Sequence, residues 1–201
     1  MAQDKEKNTE KNPFDLFTQW FGEAQTKEKT YPDAMALATV SDSGMPDVRI
    51  VLLKKFDSMG FVFFTNYQGK KARDLEFNPK ASLCFYWKSL EKQIRISGQV
   101  EKVTEVESDD YFESRPHLSK VGAWASKQSE KMVGEHDLEK RLAEYTLKFH
   151  FGKVPRPPHW GGYRLTPTRF EFWEERPSRI HRRRQFLWTG DGKWICEKIY
   201  P

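Results

Sequence analysis

Cysteine is scarce in this sequence, which has only Cys84 and Cys196 among its 201 residues. Neither shows CxxC spacing or a nearby histidine, which excludes a disulfide framework and a cysteine–histidine metal cluster, so we expect two buried thiols and no metal site. No stretch approaches the roughly 20 apolar residues of a membrane span, and the charged first dozen residues lack the apolar core of a signal peptide. These absences favour a cytoplasmic protein without membrane contact.

Glycine-rich nucleotide motifs are also absent. With neither a P-loop nor a GxGxxG turn, any nucleotide-like cofactor must be held by something other than a Rossmann glycine turn. Aromatic residues are plentiful instead, with 15 Phe, 7 Trp and 7 Tyr, and such a set argues for a folded core. We expect residues 1–11 to form a disordered tail and residues 12–201 to form one domain.

The apolar patterning is mainly that of antiparallel strands. Five β-branched or aromatic runs lie between Ala34 and Val103, separated by turn sequences such as SDSG and DSMG, and a second set follows the proline-rich segment VPRPPHWGG. Helical spacing predicts four peripheral helices, at 12–24, 69–77, 104–115 and 136–149. Pro116 should end the third helix, and GAWASKQSE after it should be irregular. The fold class is therefore mostly antiparallel β with peripheral helices (α+β), as a barrel or a sandwich.

Basic residues concentrate near the C-terminus, where five arginines fall within positions 176–184 although the net charge is only +5. Such a cluster is suited to binding nucleic acid, phosphorylated small molecules or an acidic protein surface, and composition alone does not distinguish among these partners. If 178–188 is one strand, its alternation sends Arg179, His181 and Arg183 to one face. Three polar side chains on one face are costly unless they meet an anion, water or a ligand.

Two further segments have residue types that suit phosphate. Thr65, Lys70 and Lys71, in FFTNYQGKK, stand at a strand-to-helix junction, where free backbone N–H groups and lysines favour an anion. Tyr111, Arg115 and Ser119, in YFESRPHLS, offer a phenol, a guanidinium and a hydroxyl, which together suit a phosphate ester. An ordinary helix start and an amphipathic helix with a polar flank explain the same residues as well.

Nine segments follow one another in a characteristic order: RIVLLKK, FFTN with a following basic pair, FYW, EKQIRISG, YFESRP, GAWASKQS, PPHWGGYR, FEFWEERPSRIH and the terminal IYP. Together, from about Asn12 to Pro201, they resemble the pyridoxine (pyridoxamine) 5'-phosphate oxidase family. The resemblance implies an FMN-binding split β-barrel that works as a homodimer with FMN at the subunit interface. One departure stands out, because Arg182 replaces the acidic residue that usually follows the histidine in this family.

The resemblance also implies roles for individual residues. The residues that would contact FMN are Arg49, Ile50, Val51, Leu52, Phe64, Thr65, Lys70, Lys71, Gln93, Gln128, Ser129, Trp173 and Arg183. The substrate phosphate would be held by Lys54, Tyr111, Arg115 and Ser119. Arg179 and His181 would lie over the substrate ring as substrate-binding and catalytic residues. Two phosphate esters, each with a charge of about −1.5 to −2, need two cationic pockets, and this division provides them.

The implied reaction is FMN-dependent oxidation of pyridoxine 5'-phosphate and pyridoxamine 5'-phosphate by O2, giving pyridoxal 5'-phosphate and hydrogen peroxide in vitamin B6 salvage. The flavin carries the redox chemistry, and the protein orients the substrate. Three alternatives remain open: a weakly active or non-catalytic protein that binds FMN or pyridoxal phosphate, a flavin reductase that uses a nicotinamide donor, and a nucleic-acid binder. We expect small-molecule partners and no nucleic acid.

Overall fold

The first helix closes one side of the molecule. The computed structural model describes residues 12–201, so the tail expected at 1–11 lies outside the described residues. Helix α1 spans Pro13–Lys27, and the Asn12 side chain caps it by accepting a hydrogen bond from the Phe14 N–H at 3.0 Å. Proline suits the first helical position because its missing N–H would have no partner there. The helix predicted at 12–24 is confirmed and runs one turn further.

Nine antiparallel strands of the described chain form one curled sheet. The strands are β1 Ala34–Val40, β2 Pro46–Leu52, β3 Lys55–Asp57, β4 Gly60–Asn66, β5 Lys80–Trp87, β6 Lys92–Lys102, β7 Trp160–Glu174, β8 Arg182–Trp188 and β9 Trp194–Ile199. Their order is β2-β1-β5-β6-β7-β4-β3, with β8 on β7 and β9 on β8. The first half of β7 pairs with β4 and its second half with β8, while β6 pairs with both halves. This sheet is a half-barrel, and the predicted fold class is confirmed.

The main core lies where α1 covers the concave side of the sheet. Phe17 of α1 is fully buried and makes edge contacts with Phe61 at 4.8 Å and Phe85 at 5.4 Å between ring centroids. Trp20 packs edge-on against Phe172 at 5.3 Å. Edge-to-face packing suits the aromatic quadrupole, so the aromatic surplus of the sequence is used mainly in this core.

Four more helices are α2 Lys70–Phe77, α3 Glu105–Ser114, α4 His117–Ala125 and α5 Asp137–Lys148. The predicted cap of α3 is confirmed, since Thr104 Oγ1 accepts a hydrogen bond from the Glu107 N–H at 3.1 Å. Helix α4 contradicts the irregular segment expected at GAWASKQSE only over residues 122–125, and residues 126–130 are irregular as expected. Pro116 ends α3 and also occupies the cap of α4, a place where its missing N–H costs nothing.

The strand predicted over 178–188 is wrong in its first half. Strand β8 begins only at Arg182, because the chain first has to reverse direction between the antiparallel strands β7 and β8. Within this turn Ser178 and Arg179 have φ of 61° and 60°, the left-handed region that costs non-glycine residues energy. Arg179 and His181 both precede β8, so the predicted strand face shared by Arg179, His181 and Arg183 does not form.

The prediction of two buried thiols is wrong for Cys196 and only partly correct for Cys84. Cys84 is partly buried on β5, whereas Cys196 is exposed because β9 is an outer strand that pairs only with β8. Among residues 12–201, no helix is both long enough and apolar enough to span a bilayer.

Candidate active site

A groove of about 850 Å³ lies among strand β2, the end of β4 and helices α2, α3 and α4. Many of the residues predicted to bind ligands line it: Arg49, Ile50, Val51, Leu52, Lys54, Phe64, Thr65, Lys71, Tyr111, Arg115, Ser119 and Gln128. The groove thus contains most of the predicted FMN set and all four residues predicted to hold the substrate phosphate.

One side of the groove centres on Lys71 at the start of α2. Its Nζ donates hydrogen bonds to Gln128 Oε1 at 2.8 Å and Thr65 Oγ1 at 3.2 Å, and both acceptors are uncharged. Burial, together with the nearby charge of Arg49, lowers the pKa of Lys71. A half-buried ammonium with neutral partners favours an anion beside it.

Helix α2 and the loop after α4 are held together at this side. The Lys70 N–H donates to Ser129 Oγ at 3.2 Å, and a Cβ on Gly69 would stand 2.7 Å from Gln128 Oε1, so a larger residue at this cap position would make the Gln128 side chain shift. The Lys70 ammonium turns away to Asp47 at 2.8 Å, and neither Lys70 nor Ser129 lines the groove.

Arg49 is held by a compact polar network. Its Nη1 donates to Thr39 Oγ1 at 2.6 Å and to the Leu37 carbonyl at 3.2 Å, while its Nη2 lies 2.8 Å from Asp47 Oδ2 and 3.6 Å from Asp74 Oδ2. Asp74 is buried and accepts a hydrogen bond from Thr39 Oγ1 at 2.7 Å. The charge of Arg49 is therefore largely compensated, in contrast to that of Lys71.

The other cationic side of the groove centres on Arg115, at the junction of α3 and α4. Its guanidinium lies 4.7 Å above the ring of Trp160, and its Nη1 is buried without a hydrogen-bond partner among the described residues. Burial lowers the pKa of this group. Tyr111 stacks on Phe64 at 4.0 Å between centroids, and Phe64 stacks on Trp160 at 5.3 Å. A buried donor without a partner indicates that something absent from the chain itself completes this site.

The remaining phosphate candidates lie beside Arg115. Ser119 is exposed in the first turn of α4, and Lys54 Nζ pairs with Asp33 Oδ2 at 2.9 Å. Trp160 was missing from the predicted set. It starts β7 within PPHWGG, and neither its spacing nor its charge distinguished it from a core residue.

Besides Lys70 and Ser129, five predicted residues lie outside the groove: Gln93, Trp173, Arg179, His181 and Arg183. Three of them are cross-strand neighbours on β6, β7 and β8, because Gln93 pairs with Trp173 and Trp173 pairs with Arg183. The His181 ring stands 4.7 Å from the Trp173 ring, and its Nδ1 accepts a hydrogen bond from the Arg176 N–H at 3.3 Å. We call this second set, together with the 175–181 turn, the β7–β8 cluster.

Glu171 anchors the β7–β8 cluster. The carboxylate accepts hydrogen bonds from Arg183 Nε at 3.1 Å and Nη2 at 2.8 Å, and it also pairs with Arg95. Burial alone would raise the pKa of Glu171, but the hydrogen bonds from Arg183 and Arg95 outweigh it and lower the pKa. Arg183 also donates to the Tyr200 carbonyl at 2.8 Å, so its guanidinium is firmly placed.

The unusual Arg182 has a local partner. Its Nη1 lies 3.6 Å from Oε2 of Glu174, the β7 residue that pairs with Arg182 across the two strands. Arg176 Nη2 lies 3.1 Å from the same oxygen. The Arg182 side chain is 58% exposed, so it faces mainly water and Glu174.

The curled antiparallel half-barrel places this chain in the split-barrel class of proteins. Its groove contains two cationic clusters, one around Lys71 and one around Arg115. Comparison with known families agrees with the split-barrel class. Residues 21–149 match the model of the pyridoxamine 5'-phosphate oxidase family, and residues 160–201 match the pyridoxine 5'-phosphate oxidase C-terminal dimerisation region. The chain belongs to the pyridoxine/pyridoxamine 5'-phosphate oxidase family.

Similar proteins extend over nearly the whole chain. A pyridoxine/pyridoxamine 5'-phosphate oxidase of Caulobacter vibrioides is 54% identical, covering 96% of this chain and 86% of that protein. The one from Brucella canis is 50% identical, covering 94% of both chains. These relatives and the family match support an oxidase of this family.

Two solved structures share the fold. PhzG from Burkholderia lata, in complex with tetrahydrophenazine-1-carboxylic acid, superposes with a TM-score of 0.89 at 32% identity, covering 94% of this chain and 93% of that one. A pyridoxamine 5'-phosphate oxidase-related, FMN-binding protein from Nostoc punctiforme gives 0.74 at 17% identity, covering 91% and 96%, and shows the fold alone.

Proposed function

We propose that this protein is an FMN-dependent oxidase that converts pyridoxine 5'-phosphate and pyridoxamine 5'-phosphate to pyridoxal 5'-phosphate, with O2 as acceptor and hydrogen peroxide as product. The observation that carries the proposal is the buried Nη1 of Arg115, which has no hydrogen-bond partner within residues 12–201, in a groove that also contains the half-buried Lys71. Two cationic clusters suit two phosphate esters, one on the cofactor and one on the substrate. A place in cytoplasmic vitamin B6 salvage belongs to the same proposal.

The residues around Lys71 fit the cofactor. Lys71, with Thr65, Gln128 and the N-terminal N–H groups of α2, would hold the FMN phosphate, and β2 from Arg49 to Leu52 would form the adjoining wall. FMN, when bound, would supply the hydride acceptor for the C4′ carbon of the substrate. The chain's own task on this side is to fix the cofactor phosphate and exclude water from it.

The residues around Arg115 fit the substrate. Arg115, Tyr111, Ser119 and Lys54 offer a guanidinium, a phenol, a hydroxyl and an ammonium to one phosphate ester. Binding energy from this phosphate, which does not react, would hold the substrate ring in a reactive orientation. Lys54 would have to exchange its Asp33 partner for the phosphate, or share it.

In this proposal the β7–β8 cluster acts on the groove of a second copy of the chain. Gln93, Trp173, Arg179, His181 and Arg183 do not line the groove, although the family resemblance assigns them to the same ligands. The match of 160–201 to a dimerisation region supports a homodimer in which each subunit's cluster completes the partner's groove. FMN would then lie at the subunit interface, in contact with both chains.

Within that cluster, we assign the substrate ring to Arg179 and His181. The Arg176 N–H donates to Nδ1 of His181, so the ring proton of neutral His181 belongs on Nε2. His181 would hold or move a proton at Nε2, while the guanidinium of Arg179 would cover the ring of the substrate.

An absorbance spectrum of the purified protein, followed by anaerobic addition of pyridoxine 5'-phosphate, tests the proposal. We expect a bound flavin whose visible absorbance bleaches with substrate, and peroxide production when O2 is admitted. A flavin that stays oxidised would favour a non-catalytic FMN-binding or pyridoxal phosphate-binding protein. Bleaching by NAD(P)H alone would favour a flavin reductase.

A further inference from the structure

The strongest unexplained feature of the groove is how Arg115 is supported. Its guanidinium is half-buried, lies 4.7 Å over Trp160 and 5.4 Å over Phe112, and keeps one buried nitrogen without a hydrogen-bond partner among the described residues. Arg164, by contrast, is buried and held by two carboxylates, those of Asp57 and Glu107, each at 2.9 Å. Arg115 is thus packed on rings, whereas Arg164 is paired with acids.

We propose that Trp160 is a positioning residue for the substrate phosphate, because its ring holds the Arg115 guanidinium in place while leaving the charge and the N–H donors of that group available. This inference rests on the proposed function and adds a residue to which the family resemblance assigned no role.

The chemistry of the two kinds of support explains why a ring suits this position. A carboxylate would cancel the charge of Arg115 and occupy its donors, so an incoming phosphate would have to displace it. An aromatic ring instead attracts the cation through its π face, which leaves the edge of the planar guanidinium free for a bidentate anion.

Aromatic neighbours keep Trp160 itself in place. The ring of Phe64 lies nearly parallel to that of Trp160, with centroids 5.3 Å apart and an interplanar angle of 11°, and Tyr111 is nearly parallel to both, 4.0 Å from Phe64 and 6.2 Å from Trp160. Trp160 is 7% exposed and belongs to a small buried cluster with Phe112, Val121 and Val154. The ring therefore connects the core of the α3–α4 region to the cation in the groove.

The test measures how tightly inorganic phosphate binds at Arg115 in FMN-saturated protein. Binding is monitored by NMR through the Nε–H signal of Arg115, which is assigned by its absence in the Arg115→Lys variant. We expect Trp160→Leu to weaken phosphate binding roughly 3- to 30-fold and Trp160→Phe, which keeps a smaller ring, about 2- to 3-fold. FMN affinity should not change in either variant. The KM for pyridoxine 5'-phosphate should rise in the same order, with kcat less affected.

Val154→Ala is the matched control, since it removes buried volume from the same cluster without touching the ring under Arg115. We expect it to lower thermal stability and leave phosphate affinity unchanged. Equal phosphate affinity in wild type and Trp160→Phe and Trp160→Leu would overturn the inference, as would an equal loss in Val154→Ala. If Trp160→Leu fails to fold, Trp160→Phe decides. A wild-type chain that binds phosphate at Arg115 but does not oxidise pyridoxine 5'-phosphate would remove the proposed function and leave this inference standing.

Discussion

The groove and the β7–β8 cluster differ in how their cations are compensated. In the groove, Lys71 contacts only neutral oxygens and Arg115 lies over a ring. In the cluster, Arg183 is bonded to the buried Glu171 and to a backbone carbonyl. Lys71 and Arg115 in the groove are thus available to bind anions, whereas the cluster is a rigid polar surface.

This difference suggests a division of labour. The groove is suited to bind the phosphates, and the cluster is suited to present the 175–181 turn, with its two left-handed residues Ser178 and Arg179, in a fixed conformation. Such strain persists only where surrounding contacts impose it, and it is typical of functional sites. We therefore expect groove variants to change affinities and variants of the 175–181 turn to change the rate of the chemical step.

The largest expected effect belongs to the cluster. Arg179→Ala and His181→Ala should each slow flavin reduction by roughly 10²-fold or more, because they remove the groups assigned to the substrate ring and its proton. FMN affinity should stay the same. Anaerobic stopped-flow measurement checks this, and unchanged reduction rates in both variants would contradict the assignment.

Arg115→Ala should produce the next largest effect, on affinity. Loss of a charge-assisted contact to phosphate should raise the KM for pyridoxine 5'-phosphate roughly 10- to 100-fold. Steady-state kinetics measures it, with Arg115→Lys as the partial replacement that keeps the charge. A fall in kcat at unchanged KM would contradict the proposal that the groove determines substrate affinity.

The pH dependence of FMN binding should depend on Lys71. Burial lowers its pKa in the FMN-free protein, and a bound phosphate should raise it again. FMN should bind most tightly below the lowered pKa of Lys71, and its affinity should fall as the pH rises through that pKa. The total fall should be about tenfold for each unit by which the pKa of Lys71 in the FMN-bound protein exceeds that in the free protein. Fluorescence titration across pH checks this, and Lys71→Arg should flatten the profile because arginine stays charged. An identical fall in Lys71→Arg would refute the assignment.

The smallest effect is expected at Arg182. This side chain is exposed and paired with Glu174, so Arg182→Gln should change flavin reduction and substrate affinity by less than about threefold. The same stopped-flow and steady-state assays apply. A large gain or loss would mean that Arg182 reaches the substrate.

Local signals in the sequence predicted much of the fold. The Asn12 cap, the Thr104 capping box and the glycine turns depend on neighbouring residues only, and all appear as expected. The start of α4 was missed because Pro116 serves two helices at once. The face of Arg179 was misjudged because strand alternation ends where the tertiary fold needs a turn.

The site was less accessible to prediction. The family resemblance selected residues that the fold does gather in one groove, but Trp160 carries no local sign of its contact with Arg115, which forms across 45 positions of chain. The β7–β8 cluster lies apart from the groove because of the tertiary structure, and the spacing of residues in the sequence does not predict this separation.

Complementation between two defective chains tests most directly whether each active site is shared by two subunits. Arg115→Ala damages the groove and Arg179→Ala damages the cluster, so a mixed dimer should contain one doubly damaged site and one intact site. Equal co-expression with random pairing should restore about a quarter of wild-type activity at low substrate concentration, from two nearly inactive parents. Activity no higher than the mean of the two parents would contradict a shared site.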